Sequence, residues 1–117
     1  NVREVAHFYI EHGNDGGHDV AHDINQPAGL RLPNELGLYD LSGNIWEWCE
    51  DWYGEYPDIS EQENPIYAPK GPVNADVRVV RGGSWFDLPL LAQVALRYNY
   101  SRSIRYSLIG FRLARTV

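Results

Sequence analysis

Residues 38–56, LYDLSGNIWEWCEDWYGEY, carry three of the four tryptophans of this 117-residue chain, set directly after a Ser-Gly-Asn turn. From Asn44 onward Ile45 and Glu47 alternate with Trp46 and Trp48, which predicts a strand with two unlike faces. Indole rings at period two demand a covering layer, so the rest of the chain has to supply one. Residues 77–85, VRVVRGGSW, alternate in the same way and run into a Gly-Gly bend, which predicts a second strand. IGFRLARTV, with Ile109, Phe111 and Leu113 alternating, predicts another strand, expected to pair near that of residues 77–81. Between them, residues 86–108 contain no glycine and no clear period. Without heptads, repeats or a long helical pattern, the chain reads as loop-rich and mostly β or α+β.

The remaining segments read as connections. Residues 1–37 are dense in His, Asp, Asn, Gly and Pro, apart from a short apolar run from Val5 to Ile10. Residues 57–76 hold four of the seven prolines, Pro57, Pro65, Pro69 and Pro72. The length suits one domain or part of one, and Asn1 is expected to be an internal cut rather than a true start. Aromatic residues make up 13% of the chain, a content that argues against disorder. No apolar run is long enough for a transmembrane helix, and no signal peptide or lipidation motif is recognised. Cys49 is the lone cysteine, which excludes an intrachain disulfide and a cysteine-based zinc cage and reads as a small buried residue.

The net charge of −6 is unevenly spread: residues 77–117 hold seven arginines against the single acid Asp87, and every other acid precedes them. An acidic chain is a poor nucleic-acid binder, and the arginines are expected to pair with acids of the same domain. His7, His12, His18 and His22 stand near Asp15, Asp19 and Asp23; the glycines among them argue against a helix that would align two histidines. They are expected to be solvated loop residues rather than metal ligands.

NELGLYDLSGNIWEWCEDWY, RVVRGGSW and IGFRLA, in this order and spacing, resemble the formylglycine-generating-enzyme (sulfatase-modifying factor) domain, a variant of the C-type lectin fold. The resemblance spans residues 34–117, with a weaker match at NVREVAHFY. It implies an α+β, loop-rich fold with little helix, residues 1–117 forming the C-terminal part of one domain whose N-terminal half is either cut away or a separate partner chain. The resemblance also implies a structural calcium site made by the Asp40 carboxylate, the Gly43 and Ile45 carbonyls and the Glu47 carboxylate. Hard oxygens converging on a tight turn suit that ion; the plain alternative is an Asx-turn at Asp40 with Glu47 exposed. A second family site would fall on Asn1, the Val2 carbonyl, Asp15 and the Gly17 carbonyl. The family's enzymes bind copper through two cysteines after the GGS motif; here Asp87 and Ala92 stand there, so neither copper nor that oxidation is expected.

Residues 86–108 resemble more closely the variable proteins of diversity-generating retroelements, which share this lectin-fold subclass and end in GGSW, then template positions, then IGFR. Adenine mutagenesis there turns AAC codons into NNC codons, which never encode Lys, Glu, Gln, Met or Trp. Phe86, Asp87, Leu88, Leu90, Leu91, Leu96, Tyr98, Asn99, Tyr100, Ser101, Ser103, Ile104, Tyr106, Ser107 and Leu108 all fit that set. Pro89, Ala95, Arg97, Arg105, Ile109, Gly110 and Phe111 look like retained scaffold, and Gln93 alone falls outside the set. Tyr and Ser suit an adaptable binding face; the plain alternative makes the leucines core and the tyrosines ordinary packing. The resemblance implies a non-enzymatic protein of the cell surface or virion, binding an unknown protein or cell-surface ligand. Trp46, Trp48, Trp52 and Trp85 would hold the scaffold, with Trp46, Trp85 and Phe111 as costly core positions. The alternative function is a formylglycine-generating-enzyme-like oxidase domain or a degenerate accessory module.

Overall fold

The computed structural model describes residues 2–9, 24–56, 70–73 and 75–114. Its framework is a four-stranded sheet in the order β3-β2-β1-β4, built from β1 (Trp46–Trp52), β2 (Val77–Arg81), β3 (Tyr98–Ser101) and β4 (Ile109–Gly110). A short helix, α1 (Val2–Val5), precedes it. β1 and β2 pair antiparallel through Glu47 with Arg81 and Trp48 with Val80, then slip register before Trp52 meets Arg78. β3 adds antiparallel to the far side of β2, placing Tyr98 beside Val80 and Tyr100 beside Arg78.

The tryptophan face is covered as the alternation requires. Trp46, Val80 and Leu108 form a buried cluster, against which Trp48, Trp85, Leu91, Leu96, Tyr100 and Ile109 pack. A second cluster joins Ala6 and Phe8 to Ala92 of a 3-10 turn, Pro89–Ala92. The Val5–Ile10 run thus contributes core residues, although its surroundings read as loop. His7 lies inside this layer at 2% exposure. Its Nε2 lies 2.9 Å from the Ile24 carbonyl and its Nδ1 3.3 Å from an Arg31 amino group. It is therefore a buried structural residue, not the solvated one expected; His12, His18 and His22 lie outside the described residues.

The Ser-Gly-Asn turn ties these layers together. Asn44 holds φ at 64° and is buried, its N–H donating to His7 O and its carbonyl accepting from Trp85 N–H. Its side chain copies a strand partner: Oδ1 accepts from Gln26 N–H at 2.8 Å and Nδ2 donates to Gln26 O at 2.9 Å. Asn44→Ala strands both Gln26 groups, and chemical denaturation should show a loss of about 1–3 kcal/mol; Asn44→Asp, which keeps only the acceptor, should fall in between.

Two strand expectations need correction. IGFRLARTV contributes only Ile109 and Gly110, and these pair parallel with β1 rather than beside β2. A side chain on Gly110 would meet Ile45 at 2.3 Å, so the chain passes close to β1 there and then leaves the sheet. Phe111 and Leu113 follow at 73% and 88% exposure, so Phe111 is not a core residue among the described ones. The opposite edge, β3, carried no sequence signal, because Tyr-Asn-Tyr-Ser on an edge strand alternates aromatic with polar without a clear apolar face.

Candidate functional site

The GGSW bend launches the segment that follows β2. Ser84 is fully buried, and both its N–H and its hydroxyl donate to the Asp87 carboxylate. The Asp87 N–H returns to Ser84 O, and the Asp87 carbonyl accepts from Tyr9 N–H. Asp87 therefore closes a turn rather than offering its carboxylate to a ligand. Ala92, at the other position where family enzymes carry a thiol, is buried in the Ala6–Phe8 cluster.

Past the bend, the chain exposes large side chains. Phe86, Leu88, Leu90, Tyr98, Ile104 and Tyr106 are solvent-facing, with Ser101, Ser103 and Ser107 between them. Phe86 stands edge-on to Trp85 with ring centres 5.5 Å apart. Tyr98 leans on Trp46 at 5.6 Å, Tyr100 on Tyr98 at 5.5 Å and Tyr106 on Tyr100 at 6.2 Å, making a continuous aromatic row rooted in the core. Burial, with Tyr98, Asp87 and Tyr106 nearby, pushes the Tyr100 phenol above its ordinary range. Leu91, Leu96, Asn99 and Tyr100 are half-buried, and Leu91, Leu96 and Tyr100 pack on the Trp46 cluster. Leu108 is a correction: it is 6% exposed inside that cluster and has no outward face.

The arginines also depart from expectation. Arg112 alone among those after residue 76 pairs with an acid among the described residues. Arg81 donates to the Val94 and Leu96 carbonyls, and Arg97 to Gly54 O while facing the Tyr56 ring at 4.3 Å. Arg102 and Arg105 are exposed beside the aromatic row and have no carboxylate partner among the described residues. Their place in Ser-Arg-Ser and Ile-Arg-Tyr was the available signal for surface display.

The proposed cation site lies on the opposite edge. Asp40 and Glu47 line one open cavity of about 380 Å³ with Tyr39, Phe111 and Arg112. Asp40 holds φ at 54° and its carboxylate accepts from Gly29 N–H at 2.7 Å. Both Glu47 oxygens are held by Arg112, at 2.9 and 2.7 Å, and this hydrogen bonding raises the Arg112 pKa further. The donors are hard oxygens, which fit calcium in kind, and Glu47 reaches an ion by releasing at least one bond from Arg112. Gly43 and Ile45 sit between the two carboxylates in the same turn. The residues of the second site, Asn1, Asp15 and Gly17, and the Val2 side chain lie outside what is described.

A family model for the sulfatase-modifying factor enzyme 1-like domain matches residues 3–117. The chain belongs to this family. Among curated members, the serine/threonine-protein kinase pkn1 of Chlamydia caviae is 45% identical over 85 residues, covering 72% of this chain and 13% of that protein. The formylglycine-generating enzyme of Thermomonospora curvata is 37% identical over 71 residues, covering 58% of this chain and 23% of the enzyme. The chain thus spans less than a quarter of these relatives. Among solved structures, Treponema denticola variable protein 1 superposes with a TM-score of 0.72 at 30% identity, over 94% of this chain and 35% of that one. PvdO from Pseudomonas aeruginosa superposes with a TM-score of 0.66 at 26% identity, over 92% of this chain and 38% of that one. The fold is thus the loop-rich C-type lectin variant of the sulfatase-modifying factor family, and its curled sheet with little helix matches the variable proteins.

Proposed function

We propose that this sulfatase-modifying factor domain is a ligand-binding variable protein of a diversity-generating retroelement, displaying the exposed side chains among residues 86–107 on a fixed lectin scaffold. The observation that carries the reading is the aromatic row Tyr98–Tyr100–Tyr106 with its exposed leucines and serines. Tyr98 and Tyr106 face solvent while Tyr100 packs on the core beside them, and large apolar and hydroxyl side chains presented in this way suit binding. The likeness in fold to Treponema denticola variable protein 1 supports it. The partner is a protein or cell-surface ligand presented outside the cell or virion bearing the domain.

The test is genomic and combinatorial. A reverse transcriptase gene beside the coding sequence, and an imperfect repeat of the codons for residues 82–112, are expected. A library randomised with NNC codons at Phe86, Leu88, Leu90, Tyr98, Tyr100, Ser101, Ser103, Ile104 and Tyr106 should yield mostly folded members by thermal melting. A single-copy gene without the repeat, together with a library that mostly unfolds, overturns the reading.

Calcium belongs to the proposal as a structural ion held by Asp40, Glu47 and the Gly43 and Ile45 carbonyls. It would take the Glu47 carboxylate from Arg112 and brace the turn that anchors Asn44. Added calcium should raise the melting temperature of the protein, and Asp40→Asn, which keeps an acceptor for the Gly29 N–H and tolerates the positive φ, should reduce that increment sharply while changing little in chelator. An equal increment in the variant removes calcium from the site. The domain is also proposed to lack formylglycine-generating activity, because oxygen activation at copper needs a thiolate pair and the positions hold Asp87 and Ala92. Copper-dependent oxidation of a sulfatase cysteine peptide, read by mass spectrometry, overturns that.

A second reading is favoured by the Chlamydia relative: an accessory binding module joined to a catalytic domain of another class. It predicts a single-copy gene encoding further domains and no template repeat, so the same genomic observation separates the two.

A further inference from the structure

A second cavity lies on the sheet where β1, β2 and the turn after β3 come together. It measures about 280 Å³ and is lined by Trp48, Cys49, Arg78 and Arg102. Trp48 and Arg78 come from the two central strands, and Arg102 from the turn that follows β3. Tyr100 is the cross-strand neighbour of Arg78, so the cavity borders the aromatic row.

Its electrostatics are set by how the surrounding acids are used. Glu50, whose backbone carbonyl accepts from Arg78, gives its carboxylate to Lys70 at 3.0 Å, and that bond, with the Lys70 charge and a smaller effect of Arg78, holds the Glu50 carboxyl below its usual range. Glu47 is taken by Arg112. Arg78 instead stacks on the Trp52 ring at 3.8 Å and donates to the Glu50 backbone carbonyl. In that posture the guanidinium makes no salt bridge among the described residues, although its charge is felt at the Glu50 carboxyl. Arg102 likewise has none; its backbone N–H bonds to Asp76 O, and the Asp76 side chain is exposed nearby. Two cations of the same sign share one concavity, walled by an indole. A site of that kind stabilises an anion through charge-assisted, forked hydrogen bonds while the ring beside it takes a flat or aliphatic group.

We infer that the Trp48–Arg78–Arg102 cavity binds the anionic group of a small ligand, a phosphate or sulfate ester or a carboxylate, with its organic part against Trp48. Trp48, Cys49 and Arg78 lie on β1 and β2, whereas Arg102 falls within residues 86–108, so the site rests on Arg102 being kept there. No covalent step is involved.

Isothermal titration calorimetry supplies the readout. Phenyl phosphate, phenyl sulfate and benzoate are titrated into the protein at neutral pH, with benzyl alcohol as the uncharged control. At least one anion should bind saturably where benzyl alcohol does not, and the arm that binds best names the group. Arg102→Gln, at an exposed turn residue and checked for an unchanged melting temperature, should raise the dissociation constant roughly tenfold. Arg105→Gln, outside the cavity, should leave it unchanged. Absence of binding by every anion, equal binding of benzyl alcohol, or an equal loss in both variants each overturns the assignment.

Discussion

Leu108→Ala should destabilise the protein by roughly 2–5 kcal/mol and Trp46→Ala by about 3–5 kcal/mol, whereas alanine at Phe86, Leu90 or Ile104 should stay within about 0.5 kcal/mol. Leu108 and Trp46 touch inside the cluster closed by Val80, so truncating either leaves a void that rigid strands on both sides cannot fill. Phe86 and Leu90, at 61% and 67% exposure, leave no comparable void. Total stabilities of single domains run to about 5–15 kcal/mol, so the core changes consume a large share of the margin. Denaturant midpoints for this short series separate the two groups, because the ranges do not overlap. Losses at Phe86, Leu90 and Ile104 that match Leu108 would make the segment ordinary scaffold and end the proposed display role. The position that changes sides is Leu108: its residue type fits the variable set, but its burial makes it part of the frame.

Gly43→Ala should cost more than about 3 kcal/mol, while Gly37→Ala should cost roughly 1–2 kcal/mol, the ordinary penalty of a left-handed residue with a side chain. Both glycines hold positive φ, 79° and 76°. A Cβ on Gly37 meets nothing within 4 Å, whereas on Gly43 it falls 2.0 Å from the His7 carbonyl oxygen. That oxygen is committed to the Asn44 N–H at 2.6 Å, so relief means parting the N-terminal segment from the turn. The Gly43 variant should therefore also expose the otherwise buried His7, seen as faster hydrogen exchange at its imidazole C2 position. Equal costs at the two glycines would show that the bridge between His7 and Gly43 carries no load.

Much of this molecule was legible in its residues. Alternation over Trp46–Trp52 and Val77–Arg81 determined the two central strands, since a half-buried strand needs two unlike faces and few other elements tolerate tryptophan at period two. The order of GLYDLSGNIWEWCEDWY, RGGSW and IGFR determined the family, and with it the C-type lectin variant. What local pattern could not determine was anything set by distant partners. Whether Leu108 is core or surface depends on Trp46 and Val80, brought in by a parallel pairing of only two residues at β4. His7 is buried because Gly43, Ile24 and Arg31 close around it, each remote in sequence. The arginines after residue 76 looked like partners for acids, yet Lys70 takes Glu50 while Arg78 and Arg97 settle on aromatic faces. Short-range periodicity reports which face of an element is apolar; the tertiary structure alone decides what that face meets, because burial and charge pairing are properties of neighbours rather than of residues.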